Sequence, residues 1–378
     1  MVPKGWEILS IGDLGDVITG STPKTSDLSL YGGDIPFVGP ADLGRGKPIT
    51  SAIKTLSDEG FQATRKIRKG ATLFTCIGST IGKIGFSGTA LATNQQINAV
   101  VPNKLHDDNF IYHALKYRAS HIAKLAGTQA VPIINKSTFS SQPILVSPLP
   151  EQKKIAQILS TWDQAITATE RLLENSQQRK KGLMQKLLTG KKRLPGFEEE
   201  WKKIELGEAL KYQQPTPFLV RSTEYSNDFP TPVLTAGKSF LLGYSDEEFG
   251  IYRDVLPTII FDDFTTASRF VDFPFKVKSS AIKILTSNLG FSNRYIFEAM
   301  QMIRFKVGGH QRHWISIFAN LVIPCPSFEE QKAISKVLAT ADHEILALQN
   351  CLKSLKKEKK ALMQQLLTGK RRVQVEAE

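Results

Sequence analysis

The chain has 378 residues, enough for two to three domains at roughly 100 to 200 residues each, so a single small fold is excluded. With 41% hydrophobic and 22% charged residues it is neither disordered nor collagen-like, and no apolar run approaches the roughly 20 residues of a membrane span. The net charge of +13 points towards a polyanionic partner, most often nucleic acid.

The opening Met-Val-Pro-Lys-Gly-Trp lacks the apolar stretch and cleavage site of a secretory signal, so a cytoplasmic location is expected. Cys76, Cys325 and Cys351 are odd in number and far apart, which argues against a disulfide framework or a thiolate zinc site. Residues 1–150 are expected to form a mixed α/β head. Strand-like runs cover 71–77, 81–86 and 98–101, bounded by Gly, Ser and Pro. A helix follows, capped by Asp107 or Asp108, with Phe110, Ile111, Ala114 and Leu115 on its apolar face. The loop Gly127-Thr-Gln129 and an apolar, proline-terminated strand lead onwards. Gly78-Ser-Thr-Ile-Gly82-Lys83 has three residues between its glycines where a phosphate-binding loop needs four, and Ile84 follows the lysine, so it reads as a tight turn between strands.

Residues 151–193 are expected to form one long helix. Its seam alternates steps of four and three through Ile155, Leu159, Trp162, Ile166, Leu173, Leu183 and Leu187, with Lys180 interrupting it. Gly190 supplies the C-cap. Residues 194–329 begin a second head that opens like the first, Trp201 standing where the first has Trp6. Strands are expected at 256–261 and 281–285, then a helix from about Asn293, then the loop Gly309-His-Gln311. Residues 330–378 repeat the helix, with a seam of Ile334, Leu338, Ile345, Leu352, Leu362 and Leu366 interrupted by Lys359, followed by a short tail. The two helical segments, 151–193 and 330–372, agree at 21 of 43 positions without a gap, and each carries a net charge of +6.

The chain is therefore two copies of one plan: α/β heads of different interior sequence on near-identical helices, a pseudo-twofold internal repeat. A lone coiled-coil seam needs a partner, and the other copy in the same chain is the nearest one. An intramolecular antiparallel coiled coil is expected, about 58 Å long at 1.5 Å per residue, with a head at each end. That is on the order of 17 base pairs at 3.4 Å rise. For the helices alone, a structural spacer or a dimerisation hairpin fits as well. The clusters Arg179 to Lys181 and Lys191 to Arg193 lie near or beyond helix C-termini, where cations offset the dipole, so a solvated face is their default reading.

Catalytic patterns are missing. A nuclease needs clustered carboxylates with a lysine to hold Mg²⁺, and the only acidic pair in a suggestive place, Asp262 and Asp263, reads better as a turn. An adenine methyltransferase would show an Asn-Pro-Pro-Tyr or Asp-Pro-Pro-Tyr element, which is not present. His310 and His313 sit three apart without carboxylate or cysteine support, which favours a surface or DNA-facing role over metal binding. No catalytic residue and no metal site is expected.

Two α/β heads, each followed by a helix ending Leu-Met-Gln-x-Leu-Leu-Thr-Gly-Lys-x-Arg and preceded by Pro148-Leu-Pro-Glu-Gln-Lys153 or Pro326-Ser-Phe-Glu-Glu-Gln-Lys332, closely resemble the specificity subunit of type I restriction-modification enzymes. Leu73 to Lys83 and Asn94-Gln-Gln96 look like that family's target recognition domains. The resemblance implies two target recognition domains, each reading half of a bipartite asymmetric DNA site, with the coiled coil setting the spacer. It implies a non-catalytic chain whose partners are double-stranded DNA, two modification subunits and restriction subunits. The chain itself would bind no cofactor, S-adenosylmethionine, ATP and Mg²⁺ belonging to the partners. Groove readout needs Arg, Lys, Asn or Gln on exposed loops. The candidates are Lys24, Arg45, Lys47, Thr128 and Gln129 in the first head and Lys238, Arg269, His310, Gln311 and Arg312 in the second. A coiled-coil adaptor with protein-binding heads, or an orphan relative of the specificity subunit, is the alternative.

Overall fold

The computed structural model describes residues 2–44, 46, 48–127, 130–236, 239–304 and 313–375. Its longer helices are α1 (Asp108–Ala123), α2 (Leu149–Leu187), α3 (Asn293–Gln301) and α4 (Phe328–Leu366). Asp107 caps α1 by accepting the N–H groups of Asn109 and Phe110, and Ser292 caps α3 by accepting that of Tyr295. The two long helices have 39 residues each. They begin two residues ahead of Glu151 and Glu330, and in α2 this takes in Pro150, which is tolerated in a first turn because its missing N–H has no helical partner there. Gly190 and Gly369 follow in the left-handed region, at φ +70° and +67°.

The chain divides into two compact units, each built on one stretch of each long helix: Met1–Leu172 with Leu348–Glu378, and Leu173–Ala347. In the first, a five-stranded sheet runs in the order Gly15–Thr19, Ile97–Pro102, Thr72–Thr75, Ile84–Ser87, Pro48–Ile49, antiparallel except at the last pair. A three-stranded sheet centres on Tyr31–Val38, and Glu7–Ser10 pairs with Pro143–Val146 where the chain enters and leaves the head. Residues 81–83, expected to begin a strand, instead complete the hairpin turn: Gly82 donates to the Thr75 carbonyl and Lys83 to that of Thr80. The second unit follows the same plan. A four-stranded antiparallel sheet joins Leu210–Gln213, Ile282–Ser287, Thr258–Asp262 and Ser268–Val271, and Lys202–Glu205 pairs with Val322–Cys325 at the neck of the head.

In each unit the helix stretches pair antiparallel. In the first, Glu151 meets Arg372, Asp163 meets Lys359, and Glu170 meets Lys356 at 2.8 Å, so rising numbers in α2 meet falling numbers in and beyond α4. In the second, Arg179 meets Glu344 and Lys180 meets Asp342 at 2.7 Å. Seam residues Ile155, Leu159 and Leu366 are buried in the first unit's core, while Trp162, Ile166, Leu352 and Leu362 are half-buried. In the second unit Leu187, Ile334 and Leu338 are buried and Leu173, Leu183 and Ile345 half-buried. The lysines that break the seam are enclosed rather than solvated: Lys359 is 5% exposed and ion-paired to Asp163.

The repeat builds two equivalent joints between head and helix. Glu151, 5% exposed, accepts the Trp6 indole N–H at 3.1 Å and the Arg372 guanidinium. Glu330, fully buried, accepts the Trp201 indole N–H at 3.0 Å and two bonds from Arg193 at 2.7 Å. Arg193 thus leaves the solvated role expected of its cluster. The neighbouring glutamine ties the head's helix to the strand before the long helix. Gln152 accepts the N–H of Asp107 at 2.9 Å and donates to the Ser147 carbonyl at 2.7 Å. Gln331 does the same for Ser292 at 2.8 Å and Pro326 at 3.0 Å. Buried polar groups left without partners cost about 1–3 kcal/mol. Gln331→Ala is therefore expected to lower the second unit's unfolding free energy by about 2 kcal/mol in a denaturant titration followed at Trp314, leaving the first unit unchanged.

Candidate nucleic-acid interface

Of the ten residues proposed to touch DNA, Arg45, Lys47, Thr128, Gln129, Lys238, His310, Gln311 and Arg312 lie outside the described residues. Lys24 is exposed on the loop after strand Gly15–Thr19. Arg269 is exposed on strand Ser268–Val271, with its guanidinium 5.9 Å from the centre of the Phe240 ring.

What frames the candidate loops is well defined. In the first head Gly78 donates to the Pro132 carbonyl at 2.9 Å and Ile134 to that of Cys76 at 2.8 Å, so residues 132–134 are held at the end of the central strand Thr72–Thr75. Beside that strand end lies an amide cluster. Asn94 Nδ2 donates to Gln96 Oε1 at 2.9 Å, Asn94 Oδ1 accepts the Gln96 N–H at 3.1 Å, and Gln96 Nε2 reaches the Ile77 carbonyl at 3.4 Å. These bonds engage Asn94 and Gln96 internally and leave the exposed Gln95 between them, its carbonyl oxygen bonded by the Thr22 hydroxyl at 2.6 Å. A carboxamide held on one side keeps its NH₂ and a second oxygen lone pair for a base edge. Gln95 and Thr22 were absent from the candidates; an amide triplet in a turn between strands is the signal that marks them.

In the second head the stretch after residue 312 is anchored by Asp263. Its carboxylate, 1% exposed, accepts the N–H groups of His313 at 3.0 Å and Trp314 at 2.7 Å, with Lys283 3.7 Å away. His313 is itself buried, so its surface role does not hold. The acidic pair divides its work. Asp262 makes the turn, accepting the N–H groups of Phe264 and Thr265 at 2.9 Å, while Asp263 fixes the base of a loop. Among the described residues no group of His, Cys, Asp and Glu is arranged to hold a metal ion. Burial raises the Cys76 thiol to about 12 and the Cys325 thiol to about 11, so neither is a nucleophile at neutral pH.

Between α1 and the long helices sits a titratable cluster that the sequence did not announce. His113, 1% exposed, has its Nε2 3.8 Å from Asp163, yet burial and the neighbouring Lys359 and Lys116 push its pKa down to about 2. Asp163 is committed to Lys359, so the imidazole stays neutral. At the corresponding place in α3, six residues past the cap, stands Glu298, which bonds Arg294 at 2.6 Å and lies 3.3 Å from Lys180.

Residues 3–175 match the family model described as the type I restriction modification DNA specificity domain. The chain is similar in sequence to specificity subunits of type I restriction enzymes. It is 46% identical over 147 residues to the specificity subunit of the type I restriction enzyme EcoR124I/EcoR124II of Escherichia coli, a match spanning 37% of this chain and 36% of that one. To the MjaVIII specificity subunit of Methanocaldococcus jannaschii it is 25% identical over 98% of this chain and 94% of the relative. The crystal structure of a type I S subunit from M. genitalium has the same fold, with a TM-score of 0.71 over 96% of both chains at 18% identity.

Proposed function

We propose that this chain is the DNA-reading and scaffold subunit of a type I restriction-modification complex. Each head reads one half of a bipartite, asymmetric DNA site, and the two long helices set the unread spacer and dock the modification subunits. The observation that carries this reading is the contrast between joints and loops. Trp, Glu, Gln and Arg recur at both joints with the same bonds, whereas the strand ends bearing the loops are framed by an amide cluster in one head and a buried aspartate in the other. One scaffold thus presents two different reading surfaces.

The chain carries no chemical step of its own. Modification subunits, two of them, supply S-adenosylmethionine and methyl transfer to adenine, and restriction subunits supply ATP-driven cleavage with Mg²⁺. The complex works in the cytoplasm. Among the described residues no helix is long and apolar enough to cross a membrane. The test is adenine methylation of genomic DNA, mapped by long-read sequencing, in cells carrying this chain with its modification subunit and in cells lacking the chain. A split motif that appears only with the chain is expected. If no motif appears while the modification subunit is active with another reader, the adaptor reading takes its place.

A further inference from the structure

The first unit contains an open cleft of about 710 Å³ that none of the roles above uses. One wall is the second half of α1, with Lys116 and Arg118; the other is the helix pair, with Asp163 and Glu170 from α2 and Lys356, Lys359 and Lys360 from α4. Five cations face two carboxylates. Asp163 is taken by Lys359, with Lys116 3.9 Å from it, and Glu170 by Lys356 at 2.8 Å. That outer pair is half-exposed and weak. Lys360 and Arg118 have no carboxylate within reach among the described residues, and the Arg118 Nε is buried there without a hydrogen-bond partner. A concave wall of uncompensated cations with low-dielectric sides focuses a positive potential and concentrates anions. The second unit is not so equipped: the repeat puts Gln177 in place of Lys356, and α3 carries Gln301 where α1 has Lys116.

We infer that this cleft binds phosphodiester groups of the DNA backbone beyond the bases read by the first head, a contact independent of sequence and present on one side of the site only. The inference rests on the DNA-reading function proposed above. Its chemistry is that of positioning: lysine and arginine suit phosphate oxygens, while the amides suited to base edges gather elsewhere, at residues 94–96.

The experiment measures the binding constant of the complex, this chain with its modification subunits, for cognate and unrelated duplexes across a salt series. Each phosphate contact contributes about 0.9 to the slope of log K against log salt. Lys356→Gln/Lys360→Gln, which keeps helix propensity, is expected to flatten the slope by about 1.8 on both duplexes. Between about 50 and 200 mM salt the variant then loses roughly tenfold less affinity than the parent. Lys360→Arg is expected to keep the parental contribution of that position. An unchanged slope in the double variant, with a steep slope in the parent, overturns the cleft alone; a parent that binds no duplex in a salt-dependent way overturns the DNA-reading function with it. Lysine acetylation footprinting separates the two sources of phosphate. Protection of Lys356 and Lys360 by duplex is expected, and equal protection by millimolar ATP at constant ionic strength would assign the cleft to a free nucleotide and overturn the inference.

Discussion

Acidification from pH 6.5 to 4.5 is expected to remove about 2 kcal/mol of stability from the first unit through His113 alone. The histidine is neutral in the folded chain because burial, then Lys359 and Lys116, hold its pKa near 2, whereas in the unfolded chain it titrates near 6.5. Between those values the unfolded state binds one proton more than the native state. Stability therefore falls with falling pH by up to about 1.4 kcal/mol per unit below about pH 5.5, by about half that at pH 6.5, and is nearly unaffected by this group above about pH 7.5. His113→Gln keeps a neutral polar side chain and removes the titration. Urea unfolding, read by amide exchange at Phe110 to Leu115 in α1, is expected to show the acid slope in the parent and a slope smaller by one proton in the variant. The second unit, with Glu298 at the corresponding place, is the internal reference. An identical slope in His113→Gln would place the acid sensitivity in other groups.

Asp163→Ala is expected to destabilise the first unit by about 3–5 kcal/mol, the cost of leaving a buried charge without its partner. Lys359 is pulled below the ordinary lysine pKa by burial and by Lys116, and Asp163 is the group that opposes both. With the carboxylate gone, the ammonium has no ion-pair partner among the described residues and keeps Lys116 and His113 as neighbours. Asp163→Ala/Lys359→Met is expected to regain most of the loss, because an apolar pair of similar volume avoids desolvating two ions. The repeat supplies the comparison. Lys180 pairs with Asp342 at 2.7 Å but also lies 3.3 Å from Glu298, so Asp342→Ala is expected to cost the second unit clearly less. Equal losses in both units would mean that Glu298 gives Lys180 no support. Failure of the double variant to recover would mean that the seam at Lys359 depends on packing rather than on charge.

The long helices were legible in the sequence because periodicity is local: every seam residue from Ile155 to Leu187 and from Ile334 to Leu366 is buried or half-buried. The cap at Asp107, the helix start near Asn293 and the central strands of both heads were legible for the same reason. The small sheets were not. Glu7–Ser10 pairs with Pro143–Val146 across more than 130 residues, and neither short run announces its distant partner. Glu151 is buried under Trp6, and its recurrence as Glu330 beneath Trp201 is the sequence sign of it. His113 looks in sequence like any residue of an apolar helix face; its chemistry comes from Asp163 and Lys359, which lie 50 and 246 positions further along the chain. Readout residues are the least legible because loops carry no period, and Gln95 is distinguished only by what Thr22 does to it.

The paired joints have a consequence for inheritance. A head is held to its helix by the indole, carboxylate, carboxamide and guanidinium of four residues, and none of those four is a candidate for reading DNA. Mutations that redirect a loop leave the joint intact, and a genetic exchange with its crossover at the Glu-Gln pair delivers a foreign head already fitted with the partners its new helix expects. Evolution of a new target then requires no invention of a new attachment, and drift in one head places no demand on the other.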